Sequence, residues 1–180
     1  LKSGGLLEVD AASGDVREAR DSDGSAAHAG AVLALAVSAT AMDKTCVVSC
    51  GGDPLVKLWT HGDDGLTHAK TLPIEGEECL AVAFARDARG RKDGFVCVAT
   101  TDHCVRVLYA DTFQFKVSLY GHSLPCLCVG GSSDGKLLAT GSSDKTLKLW
   151  GLEFGDLRRS ILAHDDAVTG LQWLRGTHYC

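Results

Sequence analysis

The side chains in this chain that could do chemistry are histidines with aspartates downstream, paired serines, and cysteines. His28, His122 and His164 each have an aspartate in the same stretch or close by, the pairing that general acid–base catalysis uses. Asp165 and Asp166 are adjacent carboxylates, but neighbours on an extended chain point to opposite faces and do not converge on one substrate. Ser132, Ser133, Ser142 and Ser143 each precede an aspartate in a turn-like segment, where hydroxyls usually bond the local backbone. Of the eight cysteines, Cys46, Cys97, Cys126 and Cys128 sit in apolar β-type runs, where a thiol behaves as a small hydrophobe. Cys46 and Cys50 are four apart and Cys126 and Cys128 two apart, so neither pair has the gap of a zinc knuckle. The expectation is reduced, structural cysteines in an intracellular compartment, with no catalytic residue, no metal and no cofactor.

What must position these residues is a repeat. Three segments align: Ser49 to Trp59, Val98 to Leu108, and Thr140 to Trp150. Each carries a β-rich run, a turn closing on an aspartate (Asp53, Asp102, Asp144), then a strand alternating apolar, basic, apolar. The aspartates are 49 and then 42 residues apart, and from His122 to His164 is 42 residues. These periods bracket the roughly 40–45 residues of a four-stranded propeller blade. In the best-formed repeat, strands are expected near 125–130, 137–141, 146–150 and 157–162, joined by Ser-Ser-Asp-Gly and Ser-Ser-Asp-Lys turns. Short β runs with almost no helical periodicity indicate an all-β fold. Leu6 to Val9 and Asp15 to Glu18 read as the last two strands of a preceding blade. The organisation expected is a partial β-propeller of about three complete blades with partial blades at both ends. Its parts are 1–27 (two strands), 28–74, 75–121, 122–163, and 164–180 as the start of another blade broken off near Thr177 to Cys180. Such an open ring leaves strand edges unpaired, and aggregation is expected of it alone.

Bulk properties narrow the function. Net charge is −5, which gives no global reason to bind nucleic acid. The longest apolar candidate, Ala29 to Ala41, is too short for the roughly 20 residues of a membrane span.

The repeats identify the chain as resembling the WD40 family. That resemblance implies a structural hydrogen-bond network within each blade, made of a His before the first strand, a Ser or Thr, the turn Asp and a Trp. Two full sets match: His28, Ser49, Asp53, Trp59 and His122, Thr140, Asp144, Trp150. The intervening blade is degenerate, with Glu75, Val98 and Leu108 at the His, Ser/Thr and Trp positions, and apolar packing is expected to hold it. A network of this kind also accounts for the histidines without catalysis.

A closer resemblance lies in Leu119-Tyr-Gly-His-Ser-Leu-Pro125, Trp150-Gly-Leu-Glu-Phe-Gly-Asp156 and Ala163-His-Asp-Asp166. These look like the tandem-propeller scaffold subunits of the small-subunit processome. The match is strongest from about Cys79 to Val168 and departs at Gly130-Gly131 and in the loop Arg86 to Gly94. It implies a nucleolar, non-enzymatic scaffold in ribosome biogenesis and pre-18S rRNA processing. The implied partners are other processome proteins (UTP-B subunits), pre-rRNA and small nucleolar RNA, with no membrane and no small-molecule substrate. Arg86, Arg89, Arg91 and Lys92 form the one basic cluster, a candidate RNA-backbone contact set against a plain solvated loop. The alternative reading is a WD40 adaptor elsewhere, such as substrate recruitment to a ubiquitin ligase.

Overall fold

Apolar residues that alternate with polar ones, or run continuously between turn residues, leave this chain few options other than strands. A computed structural model describes residues 4–38, 45–74, 78–88 and 94–174. Glu75, Arg89, Arg91, Lys92 and Thr177 to Cys180 lie outside the described residues. The chain opens with a hairpin of β1 (Leu6–Val9) and β2 (Val16–Ala19). A first four-stranded sheet follows: β3 (Val32–Ser38), β4 (Cys46–Gly51), β5 (Leu55–Gly62) and β6 (Gly65–Pro73). The middle sheet is β7 (Cys79–Ala85), β8 (Phe95–Thr100), β9 (Val105–Tyr109) and β10 (Phe115–Leu119). The third is β11 (Cys126–Gly131), β12 (Leu137–Ser142), β13 (Thr146–Gly151) and β14 (Leu157–Leu162). Every neighbouring pair is antiparallel and consecutive in sequence, so each sheet is a meander. The all-β class and the four-stranded units agree with the sequence expectation.

The sheets are copies in detail as well as in outline. Each first strand bulges after its first residue, between Val32 and Ala34, Cys79 and Ala81, and Cys126 and Cys128. A second irregularity falls in the second half of each third strand, at Trp59, Leu108 and Trp150. Bulges strengthen local twist, so the repeated pair gives all three sheets similar curvature. The degenerate sheet keeps both, with Leu108 standing where its neighbours have tryptophan.

Period-two alternation sends the side chains of inner strands such as β4 and β8 to two opposite faces. From β4, Cys46, Val48 and Cys50 face the middle sheet and join Val82, Val96, Val98, Leu108 and Phe113. Val47 of β4 and Trp59 of β5 face the other way, with Leu6, Ala19 and Ala27 of the N-terminal hairpin region. From β8, Phe95, Cys97 and Ala99 face the third sheet with Cys126, Leu138, Trp150 and Leu152. The innermost strands pack directly, β7 against β3 and β4 and against β11. Gly131 makes the last contact close: a Cβ there would come within 2.6 Å of the Ala85 Cβ. Gly130 and Gly141 make room on the outer face of the third sheet, where Leu171 and Val168 press in at 2.8 and 2.5 Å from the positions their Cβ atoms would take. The apparent interruption of a first strand by Gly130-Gly131 is therefore a close-approach site.

Cations on the fourth strands tie each unit to the next. Arg17 of β2 donates to the Asp63 carbonyl in the β5–β6 turn (3.4 Å). Lys70 of β6 donates to the Thr112 carbonyl in the β9–β10 turn (2.5 Å) and sits over the Phe113 ring. Lys116 of β10 donates to the Leu152 and Glu153 carbonyls in the β13–β14 segment (2.5 and 2.9 Å). Two of the receiving loops share one turn: the Tyr109 N–H donates to Gln114 O and Phe113 N–H to Tyr109 O, matched by Gly151 to Asp156 and Gly155 to Gly151. Its fifth residue is left-handed, at φ 59° for Phe113 and 75° for Gly155.

Candidate functional site

In the first sheet, the segment before β3 carries His28, β4 carries Ser49, the β4–β5 turn carries Asp53, and β5 carries Trp59. The fold brings all four together. His28 Nδ1 lies 2.7 Å from Asp53 Oδ1, and Nε2 lies 2.7 Å from Ser49 Oγ. The Trp59 indole N–H donates to the same hydroxyl at 2.8 Å, and the Ala29 N–H donates to Asp53 Oδ2 at 2.8 Å. The third sheet repeats this: His122 to Asp144 at 2.8 Å, His122 to Thr140 at 2.8 Å, and Trp150 to Thr140 at 2.9 Å. Asp144 also accepts from the Ser123 and Thr146 N–H groups and from the Thr146 hydroxyl.

Only one proton arrangement satisfies every partner. The indole donates to the hydroxyl, the hydroxyl to Nε2, and Nδ1–H to the carboxylate, with the imidazole neutral and the aspartate ionised. Burial pushes His122 below its ordinary value, against the pull of Asp144, which keeps it neutral. Burial alone would raise Asp144, but bonds from Thr146, His122 and the Ser123 N–H outweigh it and hold the carboxyl well below the usual range.

Ser49, His28 and Asp53 have the connectivity of a nucleophile, base and orienting acid. Their setting removes the chemistry. Ser49 and Thr140 are both 0% exposed, and each hydroxyl oxygen is capped by an indole N–H, so no substrate can reach it. The arrangement ties the turn to the strand beside it.

The middle sheet was expected to rely on apolar packing, and Val98 and Leu108 are buried as that requires. Yet it also builds a polar cluster that sequence reasoning missed. Arg106 of β9 donates to both Asp102 oxygens (2.6 and 3.2 Å) and to the Thr100 hydroxyl (2.5 Å). Thr100 in turn bonds Asp102 at 2.5 Å. Burial would raise Asp102, but Arg106 and its other donors hold it well below the usual range. The signal was present: a basic residue follows each turn aspartate by four positions, as Lys57, Arg106 and Lys148. Lys57 is only 4% exposed and is paired with Asp21, which also meets His68 Nδ1 at 3.2 Å. That hydrogen bond from Lys57 lowers Asp21 to about 2.

The other candidates resolve as follows. Arg86 is exposed and reaches the Ser133 carbonyl at 3.5 Å, while the rest of the basic cluster lies outside the described residues. The Ser132 hydroxyl bonds Asp134 and the Ser142 hydroxyl bonds the Leu124 carbonyl, both local structural roles. The seven described cysteines are free and buried, and burial raises Cys79, Cys97 and Cys126 to about 12. Among the described residues, no group of three or more His, Cys, Asp or Glu side chains is placed to hold a metal ion, and no helix is long and apolar enough to cross a membrane.

Comparison with known proteins fits this geometry. The family described as WD domain, G-beta repeat matches residues 113–151, from the β9–β10 turn through β13. The WD repeat-containing protein 3 homolog of Dictyostelium discoideum is 37% identical over 114 residues, 57% of this chain and 11% of that protein. Human WD repeat-containing protein 3 is 36% identical over 134 residues, 69% of this chain and 13% of that protein. Human U3 small nucleolar RNA-interacting protein 2 is 43% identical over 58 residues, 32% of this chain and 12% of that protein. The chain thus spans little more than a tenth of the length of these relatives.

Proposed function

Because the chain is a WD40-repeat protein, we propose that it serves as a non-enzymatic scaffold in ribosome biogenesis, within the nucleolar small-subunit processome. Residues 28–74, 75–121 and 122–163 are then successive blades, and the two His–Asp networks hold their turns rigid. The observation that carries this reading is the chain's similarity both to WD repeat-containing protein 3 and to a protein named for its interaction with U3 small nucleolar RNA. Sealed hydroxyls and neutral, buried imidazoles support a binding role over a catalytic one. Its partners are other processome proteins (UTP-B subunits), with pre-18S rRNA and small nucleolar RNA in the same assembly.

Purifying the tagged intact protein and identifying what accompanies it tests the reading. Processome proteins and U3-class RNA are expected, whereas ubiquitin-ligase subunits without them would overturn it. Within the same reading, Arg86, Arg89, Arg91 and Lys92 touch RNA backbone, since a few flexible cations suffice to hold phosphate. Reversing those four charges is expected to weaken crosslinking to RNA in cells, and unchanged crosslinking removes the contact.

A further inference from the structure

The three third-strand cations occupy matching positions but find different partners. Lys57 is neutralised by Asp21 and Arg106 by Asp102. Lys148 is 8% exposed, and its ammonium donates at 2.7 Å to the hydroxyl of Ser160, directly across the ladder on β14. Among the described residues, no carboxylate lies within ion-pair distance of it. Two of the three equivalent sites therefore contain a carboxylate and the third does not, although a hydroxyl stands across the ladder in all three, as Thr71 opposite Lys57, Ser118 opposite Arg106 and Ser160 opposite Lys148. A buried ammonium facing only a neutral oxygen is an incomplete pair.

The strand that carries the hydroxyl is unusual too. All six residues of β14 are exposed, and it is the edge strand of its sheet. Arg158 and Arg159 immediately precede Ser160. An exposed, extended serine with arginines upstream is the form in which a basophilic serine kinase takes its substrate.

We propose that Ser160 is a phosphorylation site whose phosphate is received by Lys148. The Ser160 Oγ attacks the γ-phosphorus of ATP bound in the kinase. A new O–P bond forms as the bond to the bridging oxygen breaks, ADP leaves, and the hydroxyl proton passes to the kinase's base. The product carries about −1.5 to −2 charge at neutral pH and three strong acceptor oxygens. It converts the Lys148 contact into a charge-assisted pair and ties the edge strand to the strand beside it.

The intact protein is treated with an arginine-directed serine kinase and ATP, its phosphosites are mapped by mass spectrometry, and its Tm is compared before and after. Phosphate on Ser160 and a rise of about 2–4 °C are expected. Lys148→Met, whose ammonium is too buried to guide the kinase, is expected to accept the phosphate but lose the rise, while Lys148→Arg keeps it. Ser160→Ala is expected to take no phosphate at this position. Because each variant is compared with its own unmodified form, a lower starting stability does not disturb the comparison. An unmodified Ser160, an unchanged or lower Tm after modification, or an equal rise in Lys148→Met overturns the proposal.

Discussion

Asp144 accepts four hydrogen bonds, from His122, the Ser123 N–H, the Thr146 N–H and the Thr146 hydroxyl. Replacing it by Ala strands buried donors, and a loss of about 1–3 kcal/mol is expected, read from thermal or urea melts of the intact protein. Asp21 gives a pH signature instead. Its folded pKa of about 2 lies below the ordinary 3.8, so its contribution is complete above about pH 4 and disappears as pH falls toward 2. A melt series across that window should show the loss, and Lys57→Met should shrink it. His122 adds a second window, because burial depresses it and the unfolded chain takes its proton first as pH drops below 6.5. At this scale the two His–Ser/Thr–Asp–Trp sets were legible because all four residue types recur at fixed offsets. The Arg106–Asp102–Thr100 cluster was not, because comparison with the complete blades marked what Val98 and Leu108 lacked and not what Arg106 could supply.

Among the elements, the strands and turns of the third sheet lie within a residue of their sequence positions, since Ser-Ser-Asp turns punctuate them clearly. Gly130-Gly131 was harder to place. Periodicity reads a glycine as a missing side chain, and only packing shows that Ala85 and Leu171 occupy the space. Gly141→Val is accordingly expected to destabilise by about 1–3 kcal/mol, because its Cβ would lie 2.5 Å from the Val168 Cγ1 and 2.6 Å from the Cys128 Sγ. His103 offers the opposite case. It sits at φ 68° in the β8–β9 turn, a conformation that strains any residue with a Cβ. His103→Gly is expected to stabilise by roughly 0.5–1 kcal/mol once the added chain entropy is subtracted. A denaturant melt with unchanged slope and a lower midpoint would contradict that.

Across the whole molecule, three sheets share two continuous cores, and the seven described cysteines are all inside. With Cys79, Cys97 and Cys126 raised to about 12, their thiolate fraction is negligible at neutral pH. A thiol-alkylating reagent should leave these positions untouched in native protein and modify them fully in denaturant. Rapid native labelling of Cys97 would mean that the middle and third sheets separate easily. The stacking of blades was readable from the period alone, whereas surfaces that meet partners have no period to read. The donors on β2, β6 and β10 give this stack a direction. The first and middle sheets each offer an ammonium on one flank and a carbonyl-bearing turn on the other, the hairpin before them donates and the third sheet accepts. A unit placed back to front would set donor against donor and acceptor against acceptor. Sheets so alike could otherwise pair in either sense, so these contacts work like the teeth of a ratchet, letting the series grow with a single handed order.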